Sequence, residues 1–306
     1  ARPALAEALR DNDTSIRRRA LDLLFSQADA AVAPAASGQN GNSSSSSTCG
    51  GVAAFEQLLS YLSPGGGCAP DMREEVALRA AVLAERFAPD SSWYARSLLA
   101  LVEAAGEDAP PDVWRSAAHV VAAADGSGRA AAAGAAIAAL RRRRGGVGVS
   151  GAPDPLVCAA AFLVGEYGRL VVAETPSKEQ FTLLRDCLAG AGKSAKGMLL
   201  TALLKVEIAA NVADPSSSLK EELDLVLSRY ASSADPDLQQ RAVEYRGLAS
   251  RPEVAARDVG LQLPPWEQRR SGLLRRMAAG GGSAAAVAAA SSGGAGGGGS
   301  QNSSSS

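Results

Sequence analysis

The sequence has 306 residues, of which 46% are hydrophobic but only 4% aromatic. Alanine supplies much of the apolar content, so the core must be built by close packing of small side chains, which argues against a β-sandwich or β-barrel. Lys and Arg total 31 and Asp and Glu total 32, which gives a formal net charge of −1. This balance excludes a basic field over the whole molecule, and we expect no nucleic-acid partner.

The residues that usually carry metal or nucleophilic chemistry are scarce. His119 is the single histidine, whereas zinc sites and Ser/His/Asp catalysis draw on two or more placed His or Cys groups. The four cysteines form no C-x-x-C pair and are too sparse for a disulfide-stapled domain: Cys49, Cys68, Cys158 and Cys187. We therefore expect a reducing, cytosolic setting and no metal or cofactor. Because the sequence begins with Ala1 rather than Met, we also expect a fragment.

Apolar residues recur at steps of three or four along most of the sequence, which is the spacing of amphipathic helices. Helices are predicted, in chain order, at 15–28, 52–62, 72–87, 92–105, 111–124, 128–143, 155–173, 178–189, 193–210, 217–230 and 235–249. In the first of them the predicted core-facing stripe contains Ile16, Ala20, Leu23 and Leu24. No alternating strand interrupts the series, so the sequence predicts an all-α fold.

Helix starts carry their own signals. Side chains that can cap free backbone amides stand at Asp71, Ser91, Asp154, Ser177 and Asp235. Prolines, whose missing N–H costs little in a first helical turn, stand at Pro111, Pro155 and Pro236.

Low-complexity segments divide the chain. Gly and Ser tracts gain too little from burial to offset their ordering entropy, so residues 34–51 and 145–152 are predicted to be flexible loops. Residues 278–306, rich in Ala, Gly and Ser, are predicted to be a disordered hinge or tail. The remaining residues, 1–277, are predicted to form one helical domain.

A short pattern, an apolar residue followed by two residues and then Arg-Ala, recurs three times. It occurs at Ile16/Arg19/Ala20, Val76/Arg79/Ala80 and Leu238/Arg241/Ala242. A small Ala lets neighbouring helices approach, while the Arg can hold a carboxylate in the adjoining turn. Together with the even helix spacing, this favours an α-solenoid of HEAT- or armadillo-like hairpins over three unrelated amphipathic helices.

One segment resembles a nucleotide-binding loop, Gly190-Ala191-Gly192-Lys193-Ser194. A P-loop also needs a glycine where Cys187 stands and a preceding β-strand, and the sequence has neither. We interpret the segment as a turn in which Gly192 ends one helix and Ser194 begins the next. An enzyme that uses a nucleoside triphosphate remains a disfavoured alternative.

The sequence contains two clusters of arginine residues. The run Arg141 to Arg144 complements the C-terminal partial charge of its helix, although four arginines could also bind phosphate or an acidic partner. The second cluster, beside Trp266, is interpreted as a solvated face and contains Arg269, Arg270, Arg275 and Arg276.

The remaining candidate residues are interpreted as structural rather than functional. Core packing is preferred for Trp93, Tyr94 and Trp114, and a packed or surface imidazole for His119. The acidic pairs Glu74-Glu75 and Glu221-Glu222 point about 100° apart on a helix, so they do not face each other. The sequence thus offers no catalytic, cofactor-binding or metal-binding residues, and we do not expect an enzyme.

Several segments together resemble one family, the large subunits of heterotetrameric clathrin adaptor complexes, most closely the alpha-adaptin group. The segments are 15–24 (SIRRRALDLL), 59–62 (LSYL), 73–76 (REEV), 84–88 (AERFA), 93–94 (WY), 113–114 (VW), 165–168 (GEYG), 238–245 (LQQRAVEY) and 264–267 (PPWE). They lie in the family's order over residues 10 to 277.

The resemblance implies the C-terminal half of a helical trunk and the start of a hinge. Such a trunk contacts a sigma subunit, a beta-type large chain and a medium chain, and it links cargo and membrane to a clathrin coat. The resemblance also implies peripheral attachment at the cytoplasmic side of the plasma membrane, in coated pits, and exchange with the cytosol. It places the lipid and dileucine-cargo sites nearer the N-terminus of the trunk than these segments. A gamma-type large subunit and a general HEAT/armadillo scaffold remain alternatives.

Overall fold

The computed structural model describes residues 2–30, 43–145, 151–217, 219–260, 263 and 272–279. These residues form fourteen α-helices and four short 3-10 turns, without a β-strand among them. The helices are α1 (Arg2–Ala8), α2 (Thr14–Ala30), α3 (Ser43–Leu62), α4 (Arg73–Phe87), α5 (Ser91–Ala105), α6 (Pro111–Ala123), α7 (Gly126–Gly145), α8 (Asp154–Tyr167), α9 (Ser177–Cys187), α10 (Lys193–Ala213), α11 (Lys220–Tyr230), α12 (Pro236–Ala249), α13 (Pro252–Asp258) and α14 (Gly272–Ala279). The predicted all-α fold is confirmed.

The first twelve helices pair into six consecutive hairpins, α1–α2 through α11–α12. Among the odd-numbered helices, α3 contacts α5, α5 contacts α7 and α7 contacts α9. Among the even-numbered helices, α6 contacts α8, α8 contacts α10 and α10 contacts α12. This two-layer stack is the predicted solenoid. We call α4, α6, α8, α10 and α12 the even layer. The last two helices lie on it, α13 against α10 and α12, and α14 against α4 and α6.

Alanine forms much of the core between the layers. Ala80, Ala136, Ala160 and Ala195 are completely buried, so helix backbones approach closely. The few large rings fill the wider spaces. Trp93 lies edge-on to Phe55 with ring centroids 5.4 Å apart, and Tyr94 is 2% exposed and hydrogen-bonded to Ser116. Trp114 is half-buried against the core, with the Arg115 guanidinium 5.6 Å from its ring. Core packing for the three aromatic residues is confirmed.

The predicted helix starts are confirmed for the prolines and in part for the caps. Pro111, Pro155 and Pro236 stand in first turns. Asp235 caps α12 by accepting from the backbone amides of Asp237 and Leu238. At α5, however, the cap is Asp90, which accepts from Trp93 N at 2.7 Å, and Ser91 is already helical. Of the other three, Asp71 lies in a 3-10 turn, while Asp154 and Ser177 are the first residues of their helices.

Two predictions about helix faces and ends were wrong. In α2, Ile16 and Leu23 are 44% and 42% exposed, while Leu21 and Phe25 are buried. The buried face is therefore rotated by about one residue, because α2 packs against α1 and α4 as well as α3. The helix predicted to run to 173 ends at Tyr167 and continues as a 3-10 turn.

The low-complexity segments are only partly covered by the described residues. Helix α3 begins at Ser43, so the prediction of a loop through residue 51 was wrong for 43–51. Gly51 is buried there, with the Phe87 ring occupying the space a side chain would need, so α3 lies close to the end of α4 at this residue. Residues 34–42, 146–150 and 280–306 lie outside the described residues, and their predicted disorder stays a prediction.

Candidate protein-interaction surface

Ion pairs join every consecutive pair of hairpins. Asp22 and Arg79 link the first two at 2.6 Å, and Arg73 and Asp108 link the next two at 2.7 Å. The remaining junctions are linked by Glu103–Arg142 (2.6 Å), Arg141–Glu179 (2.7 Å) and Lys193–Asp235 (2.7 Å). Each pair connects one hairpin to the next; the Asp22–Arg79 pair involves a buried arginine, while the other four pairs are partly exposed and contribute less to stability.

The run Arg141 to Arg144 is used entirely in such contacts. Glu103 on α5 accepts from Arg142 and also contacts Arg143, which donates to the Glu103 carbonyl at 2.8 Å. Arg141 and Arg144 reach the other way, to Glu179 and Asp186 on α9. The structural interpretation of this run is confirmed, and the four guanidinium groups clamp α7 between α5 and α9.

The recurring Arg-Ala pattern has the predicted roles at two of its three positions. Arg79 is 5% exposed and contacts Glu75 in its own helix as well as Asp22, while Ala80 is completely buried. Arg241 pairs with Asp237 at 3.1 Å, and Ala242 is completely buried. In the first copy Ala20 is buried, but Arg19 lies on the exposed side of α2.

The segment 165–168 builds the crossing of α8 and α10. A Cβ on Gly165 would stand 3.1 Å from the Cα of Ala202, so a larger residue here would require the two helices to move apart by a few tenths of an ångström. Tyr167 is buried, with the Arg129 guanidinium 5.6 Å from its ring. Gly168 lies against Gln180, whose amide donates to the Gly168 carbonyl at 2.9 Å and ends α8.

Between Gly165 and Tyr167, Glu166 forms a buried ion pair with Lys205 of α10. Glu166 also accepts from the backbone amide of Leu263 at 3.3 Å. The carboxylate therefore connects three segments, and its charge is compensated inside the stack. A spacing of 39 residues between the two partners gave no signal in the sequence.

Two grooves flank this pair. One, of about 290 Å³, lies between α8, α10 and α12 and is bounded by Met198, Asp237 and Arg241. The other, of about 610 Å³, lies between α8, α10 and α13 and carries Arg169 and Val212 at its edge. A third groove, of about 640 Å³, separates α9 from α11 and contains Leu225, which is 74% exposed. These concave surfaces suit contacts with protein side chains.

The segment Gly190–Ser194 is the predicted turn between helices. It follows α9 rather than a strand, and Gly192 precedes α10. The backbone amide of Gly192 donates to the Asp154 carboxylate at 2.8 Å. The Lys193 ammonium contacts Asp235, and this hydrogen bond raises the pKa of Lys193 and lowers that of Asp235. Lys193, the lysine of the segment that resembles a nucleotide-binding loop, therefore forms the ion pair between the last two hairpins.

Of the second arginine cluster, Arg276 is bound to two carboxylates, Asp112 at 2.9 Å and Glu74 at 2.7 Å. The prediction of a solvated face is therefore wrong for Arg276. Arg269 and Arg270 lie outside the described residues, as does the side chain of Arg275.

The other predicted candidates are placed as follows. His119 is half-buried on α6, and Glu222 lies 3.7 Å from Lys178. Cys68, Cys158 and Cys187 are free thiols. Within the described ranges, no group of three His, Cys, Asp or Glu side chains is arranged to hold a metal, and no helix is long and apolar enough to cross a membrane.

A stack of hairpins joined by ion pairs, with concave surfaces along it, defines a helical-repeat scaffold. Comparison with known proteins gives its family. Residues 5–253 match the adaptin N-terminal region, and the chain belongs to the adaptin family.

Named relatives include AP-2 complex subunit alpha-2 of Arabidopsis thaliana, 32% identical over 270 residues, which cover 88% of this chain and 24% of the relative. The AP-2 complex subunit alpha-2 of Dictyostelium discoideum is 30% identical, with 79% and 21% covered. The human AP-1 complex subunit gamma-like 2 is 29% identical, with 81% and 28% covered. The chain thus spans about a quarter of the length of these relatives.

Proposed function

We propose that this chain is part of the trunk of an alpha-type clathrin adaptor subunit and acts through protein contacts, without catalysis, in clathrin-mediated endocytosis and vesicle transport. The observation that carries the proposal is the match to AP-2 alpha subunits along 88% of the chain, on a continuous stack of hairpins. The family resemblance found in the sequence supports the same interpretation.

The contacts inside the stack suit a scaffold. Alanine-lined helix crossings keep neighbouring backbones close, and an ion pair connects the hairpins at each of the five junctions. A stack of this kind keeps its surfaces at constant distances, which a subunit must do to hold several partners at once.

The proposed partners are a sigma subunit, a beta-type large chain and a medium chain, with clathrin and accessory proteins reached indirectly. Through them the chain would attach peripherally to the cytoplasmic side of the plasma membrane, in coated pits. The groove between α9 and α11 offers one contact surface, since the exposed Leu225 stands beside Val226 and Tyr230. An exposed leucine of this kind gains by burial against a partner.

A gamma-type large subunit is the second candidate, and the 29% identity to an AP-1 gamma-like subunit supports it. The two candidates differ in which sigma, medium and beta-type subunits the chain should retain. A general HEAT/armadillo scaffold would retain neither set.

The test is co-expression of the full chain with each complete set of small, medium and beta-type subunits, followed by affinity capture and quantitative mass spectrometry. We expect the AP-2 set to be retained. A chain that is folded by circular dichroism yet retains only the AP-1 set would support the gamma type, and retention of neither would overturn the adaptor assignment.

A pair of variants then tests the contact surface. Leu225→Asp should reduce retention at least severalfold, because it places a charge in the proposed apolar contact. Val243→Asp makes the same type of change at an exposed apolar residue of α12 that does not line this groove, and it should leave retention unchanged. Equal effects of the two substitutions would remove this groove from the proposal.

A further inference from the structure

The chain reverses its course after α12 and returns along the even layer. Helix α13 packs on α10 and α12, and Leu263 then donates its backbone amide to Glu166 of α8 at 3.3 Å. Helix α14 lies farther back, against α4 and α6. The order of these contacts is the reverse of the order of the hairpins.

Helix α14 is fixed to this surface by both apolar and ionic contacts. Leu273 and Met277, one helical turn apart, are 0% and 5% exposed. Between them Arg276 donates from Nη1 to Asp112 at 2.9 Å and from Nη2 to Glu74 at 2.7 Å. One guanidinium thus connects α6 and α4, which come from different hairpins.

This arrangement is that of a docked amphipathic helix, in which apolar anchors one turn apart are buried against a helical surface and a charged residue sets the orientation. Glu74 of α4 and Asp112 of α6 supply two acidic groups on this surface, and Arg276 of α14 supplies the matching positive charge. The partner that this surface fits is therefore a short helix with two apolar residues four apart and an arginine beside the second.

We propose that the surface formed by α4 and α6 is a docking surface whose occupant is α14 of the same chain, with Leu263 held separately at Glu166 of α8. Helix α14 itself is held at the Glu74/Asp112 pair. It follows that chain beyond Ala279 starts beside the second and third hairpins rather than at the end of the stack. Any protein that uses this surface must first displace α14.

Hydrogen exchange on the full chain tests the docking. Arg276→Glu replaces two attractions by two repulsions, and exchange across 272–279 should accelerate on the order of tenfold. The matched control is Arg257→Glu on α13, where the arginine pairs with the adjacent Asp258 and is 73% exposed. This control should leave exchange across 272–279 unchanged.

A charge exchange keeps the test independent of misfolding. Adding Glu74→Arg to Arg276→Glu restores one pair with its polarity reversed and should recover part of the protection. Fast exchange across 272–279 in the unmodified chain, or no difference between Arg276→Glu and Arg257→Glu, would overturn the proposal.

Zero-length cross-linking gives the position directly. The five lysines of the sequence lie at 178, 193, 196, 205 and 220, so Arg276→Lys places a unique amine in α14. A carbodiimide should join position 276 to Glu74 or Asp112, as identified by mass spectrometry. Cross-links from 276 to acidic residues spread over the whole chain would show that α14 is not docked there.

Discussion

Lys205 and Glu166 form an ion pair between α10 and α8 in which the side chains are only 12% and 6% exposed. Burial removes both charges from water, and their mutual contact, with the amide of Leu263, compensates for that loss. The pair lies where the two helices cross most closely, so it links the fourth and fifth hairpins from inside.

Breaking this pair should destabilise the fold strongly. Lys205→Met leaves the Glu166 carboxylate buried without its cation, and we expect the free energy of unfolding to fall by about 3–5 kcal/mol. Urea denaturation followed by circular dichroism measures the loss. The double variant Glu166→Leu/Lys205→Met removes both charges and should recover most of the stability. A loss below about 1 kcal/mol in the single variant would mean that the pair is solvated.

The crossing at Gly165 should not accept a larger side chain. Gly165→Val drives a branched side chain against Ala202 and should cost roughly 1–3 kcal/mol of stability. The control is Gly134→Val in α7, where a side chain would meet no heavy atom within 4 Å. This control should change stability by less than about 0.5 kcal/mol. Equal effects in thermal melts would refute the close approach.

The stability contributed by the contacts of Glu103 with Arg142 and Arg143 should depend on the salt concentration. Glu103→Gln weakens the contacts to Arg142 and Arg143, which are 58% and 25% exposed, so we expect a loss of about 1 kcal/mol at low ionic strength. The loss should shrink in 0.5 M salt as the charges are screened, which is checked by unfolding at both concentrations. Arg96→Gln on the same helix serves as the control. A loss that is independent of salt would indicate packing rather than charge.

Burial raises the pKa of the Cys158 thiol to about 11, because the thiolate is disfavoured away from water. Alkylation of Cys158 should therefore keep rising about tenfold per pH unit from pH 8 to pH 10. A cysteine in an unstructured peptide, titrating near its ordinary value, is the comparison and should level off above pH 9. The sign for stability follows: this contribution is complete below pH 9 and is lost as pH rises towards 11. A plateau near pH 9 in the folded chain, measured by mass spectrometry, would contradict the shift.

The helices of this fold could be predicted because their signals are local. The helix predicted at 72–87 is found at Arg73–Phe87, and the first-turn prolines mark real helix starts. The buried face of α2 could not be fixed in the same way. It depends on α1, a seven-residue helix with little periodic signal, and on the packing of α4.

For the contacts between hairpins, the sequence predicted the kind of interaction but not the partner residues. An arginine holding a carboxylate in the adjoining turn was expected, and Arg79 holds Glu75 in this way. The partners in other hairpins were not predictable: that of Arg79 is 57 residues away, and those of Arg276 are 164 and 202 residues away. The sequence contains many acidic residues at comparable positions, and only the stacking of repeats selects among them. For the same reason the return of α14 to the second and third hairpins has no local signal.

The junctions between hairpins also determine how the stack would respond to force. A pull along its axis loads the five junctions in series, so separation would begin at the weakest one. Each junction combines an ion pair, which salt screens, with apolar packing, which salt does not screen. Resistance to extension therefore rests mainly on the packing of small side chains between hairpins, and the ion pairs add a smaller part that salt reduces.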